Sequence, residues 1–234
     1  MATLLIWLGI AVGFGVLRQK IYFQTPMLEY ADAAVNALQI ENAKHGRELY
    51  GNYSRFHIHH PGPVFFYLYA GGEILFHDWL HLAPAPGNAH LFTGLLVQAL
   101  FFALALTTLA RSLPRMFLPL ILLAAAFYFR SVDGAFTSIW PPHVLLMPFL
   151  CFLAASVSFA TGRASILPLV VLCGGLLVHG HVAQPLFVGG LGAIALVLHV
   201  GQAQGSLRWS AWRAALLSAR RPAIWSAALG ALFL

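Results

Sequence analysis

Charged side chains are scarce in this sequence. Its 234 residues include 13 Lys and Arg and 7 Asp and Glu, so that 9% of them are charged, whereas 60% are hydrophobic. Soluble domains are about 25% charged and about 45–50% apolar. So few charges cannot cover the surface of a soluble protein of this length, which excludes an ordinary cytosolic enzyme and a disordered chain. The composition is typical of a protein with several membrane-spanning helices.

Two further absences narrow the classes of function. The formal net charge is +6, but the basic residues form no dense run of the kind that binds a phosphate backbone, so no nucleic-acid partner is expected. There are only two cysteines, Cys151 and Cys173, and both lie within apolar stretches. They are typical of small core residues and do not indicate a disulfide framework or a metal site.

Long apolar runs are the main feature that is present. A helix needs roughly 20 apolar residues to cross the hydrocarbon core of a membrane, and only the run 91–110 is that long. The other runs must include flanking polar residues to reach this length. The candidate spans are 3–17, 91–110, 116–129, 143–160, 165–178, 186–200 and 223–234. We therefore predict an all-α fold, a polytopic membrane helix bundle of about seven spans that forms a single transmembrane domain over residues 1–234. The shortness of the last run predicts that the chain is a C-terminally truncated fragment.

Basic residues orient these spans. If the apolar run 64–76 does not cross the membrane, seven arginines lie in three loops on one side and one arginine lies in two loops on the other. The arginine-rich loops are 111–115, 160–164 and 201–222, and the others are 130–142 and 179–185. Because cytoplasmic loops carry the excess of basic residues, this arrangement places the N-terminus in the cytoplasm, as in a bacterial inner-membrane protein. If 64–76 crosses instead, the N-terminus lies outside.

The preferred arrangement makes residues 18–90 one long extracytoplasmic loop that holds most of the acidic residues. Thr25-Pro26 is typical of a helix start, which predicts an amphipathic helix over about 26–45. Glu29 and Asp32 share its polar stripe with two amides. These carboxylates either face solvent or point into a cavity, where partial burial would suit a general base. A second amphipathic helix is predicted over 64–76.

Residues 50–63 between these helices are rich in tyrosine and histidine. Three histidines within four residues can ligate a divalent metal, although no cofactor follows with certainty from the pattern. Arg55, His59 and His60 can instead contact a phosphate, for which the guanidinium donors of Arg55 are well suited. A third interpretation is that the tyrosines and histidines anchor the segment at the depth of the lipid headgroups.

The order of these features resembles the GT-C superfamily of integral-membrane glycosyltransferases. It is more closely similar to bacterial membrane proteins related to the dolichyl-phosphate-mannose and aminoarabinose transferases. The resemblance covers residues 1–160, in which a first span precedes an acidic outer helix and the stretch His60-Pro61-Gly62-Pro63-Val64-Phe65-Phe66-Tyr67. A second span then ends at Ala110-Arg111, and Arg130-Ser131-Val132-Asp133 follows the third.

The resemblance implies juxtamembrane helices over an active site that transfers a sugar from a polyprenyl-phosphate donor to an extracytoplasmic acceptor. By position it implies Asp32 as the catalytic base, with Glu29 behind it, and Asp133 as a second acid. The substrate-binding candidates are Tyr53, Arg55, His59, His60 and Arg130. Membrane lipids are the other expected partners, and the oligomeric state is not predicted.

Two alternatives stay open. A transporter or flippase for a lipid-linked or amphipathic solute places ionisable residues within broken helices near the membrane midplane, whereas the spans predicted here are nearly free of charge. A non-catalytic membrane assembly subunit of the same fold is the other alternative. It is kept because many members of the superfamily have an adjacent Asp-Glu pair where this chain has Glu29-Tyr30-Ala31-Asp32.

Overall fold

The computed structural model describes residues 1–54, 57–131, 134, 136–204, 210, 220–231 and 233, and it is helical apart from one pair of two-residue strands. The α-helices are α1 (Ala2–Leu17), α2 (Asp32–Lys44), α3 (Val64–Glu73), α4 (Pro86–Ser112), α5 (Leu118–Ser131), α6 (Pro141–Val144), α7 (Leu146–Ala160), α8 (Leu167–Gly180), α9 (Gln184–Gln204) and α10 (Arg220–Ala231). Strands β1 (Tyr53–Ser54) and β2 (Ile58–His59) pair antiparallel. The predicted all-α class is confirmed.

Short helical turns complete the list of elements. A π-helical turn, Lys20–Gln24, follows α1, and a second one, Ile74–Trp79, continues α3. Turns of 3₁₀-helix precede α5 at Arg115–Phe117 and α8 at Ala164–Ile166.

Three helices in the described part of the chain are long and apolar enough to cross a membrane: Pro86–Ser112, Pro141–Ala160 and Gln184–Gln202. Three shorter apolar helices accompany them: Ala2–Leu17, Pro119–Tyr128 and Ala164–Gly180. A helix of 17 residues rises only about 25 Å, which is less than the hydrocarbon core of about 30 Å. The structure therefore supports membrane helices but contains fewer full-length candidates than the seven predicted from the apolar runs.

Helix α4 lies at the centre of the bundle, where it packs against α1, α3 and α7. Its small side chains Ala99, Ala103 and Ala105 are fully buried, which lets neighbouring helices approach closely. Phe66 of α3 and Phe152 of α7 belong to the main apolar cluster.

Side-chain contacts divide the bundle into two ends. At one end, which we call the basic end, the Thr3 hydroxyl donates to Thr107 Oγ1 at 3.1 Å, and the Arg163 guanidinium donates to the carbonyl of Arg111. The predicted loops 111–115 and 160–164 therefore lie together. At the opposite, polar end, the starts of α4 and α7 meet the segments that follow α1 and α8.

Helix α3 lies at the polar end and does not run along the length of α4. A Cβ atom on Gly180, the last residue of α8, would lie 2.9 Å from the ring of Phe65, near the start of α3. At the other end of α3, Glu73 bonds to His90 in the first turns of α4. The helix predicted over 64–76 is thus observed as Val64–Glu73 plus its π-helical extension.

The helix predicted over about 26–45 begins later than expected, at Asp32. Residues 26–30 are not helical, so Glu29 does not share the polar stripe of α2. The reason lies in Asn88, which is fully buried in α4. Its amide nitrogen donates to the carbonyls of Ile21 and Thr25, and its Oδ1 accepts the backbone N–H of Met27. These bonds hold the chain in a non-helical path before α2.

Candidate functional site

A cavity of about 220 Å³ lies at the polar end of the bundle. Parts of the chain that are distant in sequence converge on it: α2, the β1–β2 hairpin, the start of α6 and the segment after α8. Its lining consists of Asp32, Val35, Asn36, Asn52, Tyr53, His60, Trp140, Pro141, Pro142 and His181. One carboxylate therefore shares this cavity with amides, imidazoles and aromatic rings, which are groups that bind polar hydroxylated molecules.

Asp32 is the first residue of α2, and its side chain is exposed where it lines the cavity. The partial burial expected for a general base is therefore not found. The start of a helix carries partial positive charge, which favours a carboxylate at this position. One turn later, Asn36 Oδ1 accepts the amide of Asn52 at 2.8 Å, so that α2 is joined to the strand pair beside the cavity.

His60 and His181 are packed side by side in the same cavity, with ring centroids 4.5 Å apart. The backbone N–H of Val182 donates to His60 Nδ1 at 3.2 Å, and that of Ala183 donates to His181 Nδ1 at 3.2 Å. Burial lowers the pKa of His60 from its ordinary value, and the nearby His181 and His59 lower it further. His60 is thus held in its neutral form near neutral pH.

The other sequence candidates are distributed unevenly. Tyr53 lines the cavity, whereas His59 is exposed outside the lining and packs edge-on against Tyr53, with ring centroids 5.6 Å apart. Arg130 is exposed at the C-terminal end of α5, and no described contact brings it to the cavity. Arg55 and Asp133 lie outside the described residues.

An apolar cleft of about 300 Å³ adjoins the cavity and shares Pro142 and His181 with it. The remainder of its lining is Leu145, Leu146, Phe149, Ala183 and Gln184. The cleft thus extends from the polar cavity along the first turns of α7. A polar cavity that continues into an apolar cleft suits an amphipathic molecule.

Glu29, the second acid of the sequence prediction, belongs to a different cluster. His90 Nδ1 lies 2.9 Å from Glu29 Oε1, and its Nε2 lies 2.7 Å from Glu73 Oε2. Lys44 of α2 donates to Glu73 at 2.6 Å and to Asp78 at 3.0 Å. We call these five side chains the buried ion network, after Glu73 and His90, the two members that are buried. It ties α2, α3 and the segment before α2 to α4.

Charge in this network is fixed by mutual pairing. Burial alone would raise the pKa of the Glu73 carboxyl, but hydrogen bonds from His90 and Lys44 outweigh it and lower the pKa to about 2. Burial would likewise lower the pKa of Lys44, but its bonds to Glu73 and Asp78 raise it instead. Glu73 is therefore an ionised, fully engaged partner and not a proton acceptor for a substrate.

Several of these residues had no recognisable signal in the sequence. Glu73 stood out only as the one acid inside an apolar run, and that position is what a buried ion pair requires. His90, Lys44 and Asn88 follow no motif. His181 had a weak signal, because it lies at the end of a predicted span on the same side as the acidic loop.

Among the residues that the structure describes, no group of three or more His, Cys, Asp or Glu side chains could hold a metal ion. The histidines of residues 57–60 point to different surroundings, since His59 packs near two tyrosines and His60 packs against His181. Comparisons of the chain with family models, with curated proteins and with solved structures found no match.

Proposed function

We propose that this protein is a membrane glycosyltransferase that transfers a sugar from a polyprenyl-phosphate donor to an extracytoplasmic acceptor. The observation that carries the proposal is the junction of two spaces: a polar cavity that contains Asp32, and an apolar cleft that begins at its edge. A lipid-linked sugar has the same division, with a hydroxylated head next to a hydrocarbon chain.

The residues of the cavity have complementary roles in such a transfer. Asp32 accepts the proton of an acceptor hydroxyl or amine while that group attacks the anomeric carbon. The bond between this carbon and the phosphate oxygen breaks, and the lipid phosphate leaves with the electron pair. Asn36 and Asn52 offer amide groups to the sugar hydroxyls, and Trp140 offers an aromatic face for the ring.

The proposal includes a membrane arrangement in which about seven helices cross and the N-terminus is cytoplasmic. Support comes from the alternation of helix directions, because α1 and α8 run from the basic end to the polar end and α4 and α7 run back. The excess of arginine then places the basic end in the cytoplasm and the cavity on the outer side, as in a bacterial inner membrane.

The position of the charges favours chemistry at the membrane surface over transport. Transporters bind their ions and substrates near the membrane midplane. The buried ion network instead joins the polar end of α4 to the two juxtamembrane helices, α2 and α3. No described contact of Asp32 or of the network reaches the middle of α4.

The test uses the full chain in detergent with a panel of undecaprenyl-phosphate pentoses and hexoses and hydroxyl acceptors, and it follows release of undecaprenyl phosphate by mass spectrometry. Loss of a general base typically costs about 10²–10⁴-fold in rate, so Asp32→Asn should reduce release by at least about 100-fold. Glu41→Gln is the matched control, because Glu41 is an exposed acid on the same helix, outside the cavity lining. Equal release by Asp32→Asn and the wild type would contradict the proposal. Solute flux in proteoliposomes without release of undecaprenyl phosphate would favour a transporter. The absence of both flux and release would favour an assembly subunit.

A further inference from the structure

The protonation of the two cavity histidines follows from their backbone contacts. A neutral imidazole carries one hydrogen, so a ring nitrogen that accepts a hydrogen bond leaves the hydrogen on the other nitrogen. Nδ1 of His60 accepts from Val182, and Nδ1 of His181 accepts from the next residue, Ala183. Each ring in its neutral form therefore carries its hydrogen on Nε2, so that each of the two histidines offers an Nε2–H donor.

We propose that His60 and His181 form an oxyanion-binding pair that holds the phosphate of a lipid-linked ligand where the polar cavity meets the apolar cleft. Two Nε2–H donors on adjacent rings match the oxygens of one phosphate group. The assignment of a lipid as the carrier of that phosphate rests on the proposed function. The pair itself rests only on the geometry of the two rings.

The location of His181 supports a phosphate with a hydrocarbon chain. His181 is one of two residues that line both the cavity and the cleft, so an anion bound to it has the polar space on one side and the apolar space on the other. Gln184, which also lines the cleft, is the first residue of the 21-residue helix α9. The start of a long helix carries partial positive charge, which adds a favourable field for an anion.

The same contacts argue against a metal ion at this pair. A metal ion needs the lone pair of an unprotonated ring nitrogen. At both histidines the lone pair of Nδ1 is already engaged by a backbone N–H group, and Nε2 carries the hydrogen. Metal binding would require both rings to change tautomer and to break these bonds. The lowered pKa of His60 agrees with this assignment, since the ring stays neutral at neutral pH.

The binding test measures the affinity of the full chain in detergent for three probes by isothermal titration calorimetry: farnesyl phosphate, farnesol and inorganic phosphate. One hydrogen bond to a charged group is worth about tenfold or more in affinity. His60→Ala and His181→Ala should therefore each reduce the affinity for farnesyl phosphate by about that factor. Farnesol should bind all variants alike, because it has no oxyanion. His45→Ala is the matched control, since His45 is an exposed histidine outside the cavity lining.

A second pair of variants separates lost donors from lost folding. In His60→Gln and His181→Gln the amide N–H can replace the Nε2–H donor, so these variants should retain more affinity than the alanine variants. Nitrogen-15 NMR of labelled histidine, with the two signals assigned by their loss in His60→Ala and His181→Ala, should show an unprotonated Nδ1 in both of these rings. Unchanged affinity for farnesyl phosphate in both alanine variants, an equal loss of affinity for farnesol, or a protonated Nδ1 in the His60 and His181 rings would overturn the proposal.

The remaining outcomes distinguish the source of the phosphate and the fate of the proposed function. Inorganic phosphate could bind as tightly as farnesyl phosphate and depend on the same histidines. That result would support the oxyanion pair but overturn the assignment of the phosphate to a lipid. If the histidine variants keep their affinity while Asp32→Asn abolishes sugar transfer, only the present inference fails. If phosphate binding depends on the histidines but no donor is turned over, the pair stands and the proposed function fails.

Discussion

Glu73 and His90 are joined by a hydrogen bond of 2.7 Å between Oε2 and Nε2, although one residue ends α3 and the other lies in the first turns of α4. Their side chains are 6% and 1% exposed, respectively. Lys44 occupies the other oxygen of the same carboxylate. Several of the few charged side chains of this protein thus fix helices α2 and α3 to α4.

Removal of the Glu73 charge should destabilise the protein strongly. Glu73→Gln leaves Lys44 and His90 without their shared anion, and breaking a buried ion pair costs about 3–5 kcal/mol. The measurement is the free energy of unfolding in detergent. Glu41→Gln is the control, because that side chain is 56% exposed and exposed pairs contribute about 0–1 kcal/mol. A similarly small loss of unfolding free energy in both variants would show that the network does not hold α3 in place.

The adjacent glycines of α3 should respond in opposite ways to the same substitution. A Cβ atom on Gly72 would overlap Oγ1 of Thr93, a buried side chain of α4 that is fixed by its own bond to Ala89. Gly72→Ala should therefore separate the two helices and cost about 1–3 kcal/mol. Gly71 has open space around it, so Gly71→Ala should stabilise the helix by about 0.5–1 kcal/mol. Thermal unfolding of the two variants, measured side by side, checks this contrast. Equal shifts of the unfolding temperature in both variants would contradict the observed close approach of α3 to α4.

Asn88 should be essential for the path of the chain before α2. Asn88→Leu removes one acceptor and two donors from backbone groups of residues 21–27, and each buried group left unpaired costs about 1–3 kcal/mol. We expect a loss of at least about 2 kcal/mol in unfolding free energy. Gln98→Leu in the same helix is the counterpart: the Nε2 atom of that buried amide has no partner in the described part of the chain, so its removal should be neutral or stabilising. A stable Asn88→Leu variant would contradict this role.

The sequence carried enough information for the coarse fold. Composition predicted membrane helices, and the placement of Arg111 and Arg163 predicted two loops that the structure indeed brings together. The start of α2 was predicted wrongly because Thr25-Pro26 is a sound local signal that a distant residue overrides. The side chain of Asn88 forms hydrogen bonds with backbone groups of that segment. A contact across more than sixty positions cannot be predicted from a local sequence pattern.

The candidate site was predictable only where a residue type by itself suggests chemistry. Asp32, Tyr53 and His60 were predicted from the sequence, and all three line the cavity. Glu29 was assigned to the same site because an ideal helix would have placed it beside Asp32, but the non-helical segment turns it toward His90. The chemical state of His60 depends on the N–H of Val182, so it required the folded chain.

Acidification should weaken the fold through His60. Burial and the nearby His181 and His59 lower the pKa of this ring below its ordinary value, which is about 6.5. Below that pH the unfolded chain takes up a proton that the folded ring resists, so the free energy of unfolding falls as the pH drops, by at most about 1.4 kcal/mol per pH unit. Above about pH 7.5 neither state of this ring binds a proton, and the contribution is constant.

The matched variant for this pH dependence is His60→Asn. Its amide oxygen can accept the Val182 N–H bond that Nδ1 accepts in the wild type, but it does not titrate. Asp32, Tyr53 and His181, which line the same cavity, and the neighbouring His59 are unchanged in the variant. The difference between the two thermal-unfolding series therefore isolates His60. Wild type should lose more stability than the variant below about pH 6.5, and parallel curves would show that the neutral ring does not contribute.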